Sequence, residues 1–523
     1  MKKCLTGLAF IAILTVAGYG QAFRLAKPNL DGSDNTYAGL PSNSVTGIVA
    51  QGDSLMWIAT GGGLSLTRDF GDNFASFYPA LNNLPRGGIS AIDVMGDTIW
   101  VAGIFDSTTT VGSMQTGGGL AYSIDQGANW TFVAQPVDNA NDNYDDWDGQ
   151  SVEFLPVTTP VNNTTWDIAL TKDYVYIVSW AGGIRRSADM GLTWQRIPLP
   201  SDDIDRLDCG DEITFEINPR DPPEGNHNHK GFSVLAYGDT VWIGTANGIN
   251  LGIVESDSCI SWRKFTAQNS PISGNFVVAM ARQLWCGKET IWAVTLPAES
   301  AGEYQAVSKT SDGGLTWSTT LINERVYNFA FQDSIAYACS QNGLYKSIDG
   351  ENWAVYTPIV DTASGEYIYS NYIYAAEVDR REGQPYLWAG TGDGIAKTAS
   401  DGLTWSVYRT ALSTATAGQP DIYAYPNPFA PYHNNVVNND GHVRIQYNLD
   451  NVATVRLEVF NFAMERVYRG EWQSVERTGD HSLAWNGRAM NGEVVANGTY
   501  FCKLTKKIGE KEKEYWTKLI VIK

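Results

Sequence analysis

The densest run of side chains able to bind a ligand is "DNANDNYDDWDG" at 138–149. Five carboxylates, Asp138, Asp142, Asp145, Asp146 and Asp148, are interleaved there with Tyr144 and Trp147. Carboxylates offer hard oxygen ligands to calcium, and an aromatic among them offers a flat face to a sugar ring. Asp146-x-Asp148-Gly149 echoes the start of a calcium loop. The glutamate that an EF-hand needs six residues after the glycine is Leu155 here, which excludes an EF-hand. What is left is a weaker Ca2+ site on Asp146 and Asp148, against a plain solvated acidic loop. A second run, 199–230, contains "SDDIDRLDCGDE" and "NPRDPPEGNHNHKG". In it His227-x-His229 has the alternation that sets two imidazoles on one side of a strand, half of a metal site that needs two more ligands from elsewhere. Trp180, in "SWAGG", is a further stacking candidate. The expected ligand-binding set is therefore Tyr144, Asp145, Trp147 and Trp180, and the expected metal set is Asp146, Asp148, His227 and His229. The catalytic residues stay unknown.

What must position these groups is a repeat. The octet "SADMGLTW" at 187–194 recurs as "SIDQGANW" at 123, "TSDGGLTW" at 310 and "TASDGLTW" at 398. Before each copy lies a strand-like run carrying an aromatic: Trp57, Trp100, Tyr176, Trp242, Trp292, Tyr337 and Trp388, at spacings of 43, 76, 66, 50, 45 and 51 residues. "GD" or "DS" turns precede most of these runs, and Gly-rich loops follow most of them. Each stanza reads strand, turn, strand, Gly-rich loop, strand, octet, strand, which makes four antiparallel strands. Seven stanzas of this kind predict an all-β chain whose main body, 23–411, is a seven-bladed β-propeller of four-stranded blades. The two long spacings mark insertions at about 133–165 and 199–230. By this strand order octet and "GD" turns share one face, and the Gly-rich loops share the other with the blade connections. Both insertions are expected on that second face, where ligands are expected too.

Net charge is −20 over 523 residues, and from 421 onward there are 13 Lys and Arg against 12 Asp and Glu, so the rest carries −21. Such a surface repels phosphates and excludes nucleic acid as a partner. Residues 1–22 read as a secretory signal: Lys2 and Lys3, an apolar run from Leu5 to about Ala17, then small residues to Ala22. No other segment approaches transmembrane length. Once Cys4 leaves with the signal, five cysteines remain. One bridge, Cys209–Cys259, is open to them, but the sparse, odd set favours small buried thiols.

The octet, Ser/Thr-x-Asp-x-Gly-x-Thr-Trp, resembles the Asp box of sialidases, sortilins, xyloglucanases and photosystem assembly propellers. The resemblance identifies Asp69, Asp125, Asp189, Asp312 and Asp349 as turn residues with a structural role. Three copies depart from the pattern. The copy at 257–262 has Cys259 in the glycine position, that at 347–353 is one residue short, and that ending at Trp405 has Ser400 in place of Asp. Sialidases set Arg-Ile-Pro before the first octet, whereas Arg196-Ile197-Pro198 follows the third here.

After a small-residue linker at 412–424, residues 425–523 show alternating strand runs expected to form a small Ig-like β-sandwich. Tyr425-Pro426-Asn427-Pro428-Phe429, Asn461, Trp485-Asn486-Gly487, Gly498-Thr499-Tyr500 and the terminal Lys-Leu-Ile-Val-Ile-Lys resemble the C-terminal sorting domain of type IX secretion cargo. They also resemble the Ig-like domain of flagellar hook-capping proteins; Met464 stands where a glycine is usual. The resemblance implies type IX secretion machinery as a partner and a secreted or outer-surface location in a Gram-negative bacterium. The expected function is a binding or adhesion module for a glycan or protein, without cofactor. The alternative is a secreted glycoside hydrolase acting on polysaccharide.

Overall fold

In the computed structural model, the structure describes residues 40–523 apart from 53–54, 111, 299, 357, 362–365, 380–383, 410–413, 416–419, 437–438 and 476–477. The expected signal at 1–22 lies outside the described residues. The chain is all-β. The described residues contain no α-helix, and hence none long and apolar enough to cross a membrane.

Between Val45 and Tyr408 the described strands form seven larger antiparallel sheets in chain order, six of four strands and one, the fourth, of five, besides two two-stranded hairpins, Tyr144–Trp147 with Gln150–Glu153 and Val360–Asp361 with Glu366–Tyr367. Their first strands are Val45–Gln51, Gly88–Met95, Thr165–Leu170, Gly231–Tyr237, Phe276–Trp285, Val326–Gln332 and Ile373–Asp379. Successive first strands pack side by side, and the last returns to pack on the first, so the sheets close into a β-propeller. Closure packs every sheet between two neighbours and leaves short edges at the inner and outer strands.

The repeated residues explain how neighbouring sheets adhere. The aromatics of the second strands, Trp57, Trp100, Tyr176, Trp242, Trp292, Tyr337 and Trp388, are all buried. Against four of them the octet tryptophan of the next sheet stands edge-on. The pairs Trp57–Trp130, Trp100–Trp194, Trp242–Trp317 and Trp292–Trp353 have centroids 5.9–6.4 Å apart and interplanar angles of 86–87°. Gly127 shows why the octet needs glycine: its φ is +85°, and a Cβ there would meet the Trp57 ring at 2.4 Å.

In the six octets that keep the glycine, the hydroxyl residue accepts its N–H, as Ser187 does from Gly191 at 2.8 Å. The Asp holds the far side of the turn. Asp189 accepts the Thr193 N–H (2.9 Å) and hydroxyl (2.6 Å), and Asp69, Asp125, Asp312 and Asp349 make the equivalent pair of bonds. These bonds hold the Asp125, Asp189 and Asp312 carboxyls down to about 2. In the divergent copy, Ser400 Oγ accepts the Thr404 N–H at 2.9 Å.

The first strands carry a second recurring device. The inner edge leaves N–H groups without a sheet partner, and carboxylates from the preceding sheet accept them. Asp93 accepts the Leu170 N–H at 2.8 Å, and Asp167 accepts the Val234 N–H at 2.9 Å. Burial pushes Asp93 up to about 7, Asp167 to about 6, and Glu377, on the seventh first strand, to about 7. In the unfolded chain these groups titrate near 4. Between the two values the folded state holds protons that the unfolded state has released, so stability falls as pH rises through the window. His229, held down to about 4 by burial, acts oppositely and only below about 6.5. The propeller is thus expected to melt at a higher temperature at pH 6 than at pH 8. A calorimetric scan at the two pH values checks this; equal or reversed midpoints contradict it.

The chain divides into two compact units, one running to 357 with 373–390, the other comprising 358–372 with 391–523. The division falls within the seventh sheet. In the second unit a three-stranded sheet, Ile422–Tyr425, Val443–Leu449 and Gly479–Trp485, forms a sandwich with a sheet built on Ala453–Phe460, Gly498–Ile508 and Lys511–Val521. Phe429, Tyr447, Trp485, Tyr500 and Leu519 lie in its core. The 412–424 segment is therefore not linker throughout. Ile422–Ala424 are strand, because Ile422 and Ala424 fill the sandwich core and the strand pairs with Val443–Leu449.

Candidate functional site

The two insertions reach the loop face, where the Ala181 N–H donates to Asn162 O at 3.2 Å and Asp221 pairs with Lys230 beside Trp180. They fold against each other and against the third and fourth sheets. Phe154 bridges to Ile217, the Leu155 N–H donates to Ile217 O (3.0 Å), and Arg206–Leu207 adds the fifth strand to the fourth sheet. A disulfide, Cys209–Cys259, ties the second insertion to the octet that lost its glycine. The buried-thiol reading fails for this pair and describes Cys339 and Cys502; Cys286 is exposed.

This packing assigns most of the expected site residues to structure. Tyr144–Trp147 and Gln150–Glu153 form a hairpin whose two-residue loop is Asp148-Gly149, with φ of +53° and +73°. Asp-Gly is the favoured dipeptide of this tight turn, so the calcium-loop echo is a turn signal. The Asp148 carboxylate accepts the Gly210 N–H at 2.7 Å. Trp147 is 2% exposed, packed with Tyr176 and Trp262 under the Arg186 guanidinium, so it presents no face to a sugar. Asp145 pairs with Arg196 at 2.6 Å, and Asp138 holds Arg185 by two bonds of 2.7 and 2.8 Å. Tyr144 is exposed and bonds Glu153 at 3.3 Å; Asp146 is exposed beside it on the hairpin.

His227–His229 is a single 3-10 turn, not a strand, so the two imidazoles do not share a side. His229 Nδ1 accepts the Asn218 N–H (2.9 Å), leaving Nε2 to donate to Leu199 O (3.2 Å). Both nitrogens are spent and burial keeps the ring neutral. His227 Nδ1 lies 3.1 Å from Lys230 Nζ. Among the described residues, the His, Cys, Asp and Glu ligand atoms close enough to share an ion are those of Asp148, Cys209 and Cys259. The two sulfurs there are bonded to each other.

Trp180 is the expected site residue that remains on the loop face with an open ring, 37% exposed. It lies in the loop after the second strand of the third sheet. Its ring meets Phe232 at 5.5 Å, and Phe232 meets Phe276 at 4.7 Å, both near-perpendicular. The Lys230 ammonium sits 5.2 Å from the Trp180 centroid and is ion-paired to Asp221. Three sheets thus contribute to one aromatic row.

Phe232 owes its place to strand register, which the sequence pattern does not display. In six of the seven first strands one residue near the start is skipped by the pairing register: Thr46, Ser90, Trp166, Phe232, Val278 and Tyr327. Tyr374 holds the matching place in the seventh. Each bulge turns a side chain out of the ladder toward the ring's inner rim. Thr46 and Ser90 bond to carbonyls of the next sheet, Ile89 O and Thr165 O, at 2.9 and 2.7 Å. Trp166, Phe232, Tyr327 and Tyr374 are half-buried aromatics, the last two 5.3 Å apart. An apolar or aromatic residue after a small or β-branched one at the head of five of the seven stanzas was the available signal.

Nor does the pattern display the hairpin Thr98–Thr109 and Gly112–Ser123, which extends the second sheet on the loop face. It accounts for part of the 76-residue spacing. Asn162 braces it by donating its N–H to Gln115 O at 2.8 Å, and Arg86 covers Phe105. The mouth is therefore an aromatic rim beside a fixed wall, an arrangement suited to holding a ligand with a flat apolar face.

Residues 433–510 match the FlgD Ig-like domain. No curated protein sequence matches the chain. Among solved structures the chain is similar to PorZ, a surface component of the type IX secretion system of Porphyromonas gingivalis, with 14% identity and a TM-score of 0.37 over 92% of this chain and 66% of that one. It is also similar to YCF48 from Cyanidioschyzon merolae (17%, TM-score 0.39, 68% and 96% covered) and to the WD40 β-propeller domain of Doa1 (11%, TM-score 0.37, 68% and 92% covered).

Proposed function

We propose that this chain is a secreted or cell-surface binding module. Its seven sheets are the seven blades of one Asp-box ring, and its ligand, a glycan, docks on the aromatic rim of the loop face. The observation that carries this reading is the Trp180–Phe232–Phe276 row, drawn from three sheets and left open at Trp180. Asp138 and Asp145 are held by Arg185 and Arg196, and Asp148 and Asp202 by backbone N–H groups, which favours binding over hydrolysis at these acids. The Ig-like domain is the export signal of a type IX-like route, by its resemblance to sorting domains.

On a glycan array, Trp180→Ala is expected to lose at least tenfold in binding to a glycan that the unaltered chain retains, with an unchanged melting temperature. Equal retention by the variant, or no retention by the unaltered chain, contradicts the reading. Protease treatment of intact producing cells tests location, since the full-length chain should be cleaved or found in the medium.

A further inference from the structure

We infer that the opposite, octet face carries a second ligand site, a groove that takes a short neutral oligosaccharide. A cavity of about 500 Å3 opens between the fifth and sixth sheets, lined by the octet turns of both. That volume falls in the ~300–1,000 Å3 range of small-molecule sites.

One wall is a feature that the other sheets lack. The fifth first strand, Phe276–Trp285, runs ten residues, where the others run six to eight. The extra length carries Trp285 beyond the usual turn position, and Cys286-Gly287, both at positive φ, reverse the chain to Lys288. Trp285 is left 44% exposed at the groove. It is one of the few tryptophans that neither anchors a sheet nor ends an octet. Its base is fixed: Gln283 donates to Asp333 O of the sixth sheet at 2.8 Å and accepts the Trp292 indole N–H at 3.1 Å. The platform is thus held before any ligand arrives, which lowers the ordering cost of binding.

The rest of the lining sets the ligand class. Lys309 is paired with Glu351 at 2.7 Å, and the Asp349 carboxylate is spent on its own turn, so among its lining residues the groove offers no uncompensated anion or cation site beyond the exposed Lys288. Thr290 and Ser311, hydroxyls 2.8 Å apart, supply exchangeable hydrogen bonds. An exposed indole beside paired charges and hydroxyls matches a pyranose, with its C–H face on the ring and its hydroxyls at the rim. This site is independent of the loop-face rim.

Affinity electrophoresis of the full chain tests it, through gels containing hydroxyethylcellulose, xyloglucan, galactomannan, laminarin or soluble starch. At least one of these should retard the unaltered chain. Trp285→Ala should weaken that retardation at least tenfold, Trp285→Phe should restore part of it, and Trp180→Ala should leave it intact. Melting temperatures should be unchanged, since Trp285 is not a core residue. No retardation by any of the five, or full retardation of Trp285→Ala, overturns the proposal. Loss in Trp180→Ala with retention in Trp285→Ala overturns it while upholding the loop-face reading.

Discussion

Replacing Arg444 by alanine is expected to destabilise the C-terminal unit by about 3–5 kcal/mol, the cost of leaving a buried charge without its partner. Arg444 and Asp393 are each 3% exposed and bonded at 2.7 Å. Arg444 also reaches Glu366 at 3.2 Å and the Tyr367 carbonyl at 2.6 Å, and it lies over the Tyr369 ring. Arg409 meets the same two acids from the other side, at 2.7 Å from Glu366 and 3.1 Å from Asp393. Burial alone would raise the Asp393 carboxyl; the two guanidinium groups outweigh it and hold the group below its usual range. Without Arg444 one guanidinium is left to serve both acids. Urea unfolding of the full chain, in a cycle with Asp393→Asn, measures the coupling. A loss under 1 kcal/mol contradicts the account. Because Asp393 and Glu366 precede the sandwich in sequence, cutting the chain at 421 removes Arg444 from both, so export is better tested by substitution than by truncation.

Cys209→Ala should cost about 2–5 kcal/mol. The bridge closes a loop with a sequence separation of 50, for which chain entropy alone predicts about 4 kcal/mol. It also replaces the lost glycine of the fourth octet, where the Tyr174 hydroxyl, 2.9 Å from the Asp257 carboxylate, and Arg186, on the Asp257 carbonyl, provide the remaining restraint. The insertions should loosen first. Limited proteolysis should therefore cut the variant within 199–226 well below its melting temperature. A cleavage pattern and midpoint identical to those of the parent contradict this.

The repeat was legible because its signal is local. An octet, an aromatic and a Gly-rich loop lie within one stanza, and each stanza builds one sheet. Between Val45 and Tyr408, the four tryptophans outside that scheme were the informative ones, but their fates depend on contacts between distant segments. Trp147 is buried because residues 199–217 close over it, which no spacing reveals. Trp166 sits at a bulge defined by strand register. Trp180 and Trp285 stay open on opposite faces. Asp148-Gly149 carried a correct turn signal that the surrounding acids disguised as a metal motif. His229 was misplaced because alternation suggests a strand, whereas Asp202 accepts the N–H groups of His227 and Asn228 at 2.9 and 2.8 Å and winds the segment into a turn.

Ligand is expected to meet the aromatic rim and not the acidic insertions. Hydrogen–deuterium exchange of the full chain, with and without the array glycan whose binding depends on Trp180, tests it most directly. The account predicts protection in peptides covering 180–183, 230–233 and 274–278, with 144–153 and 201–226 unchanged. Protection confined to 144–153 and 201–226, with none at the rim, would contradict it.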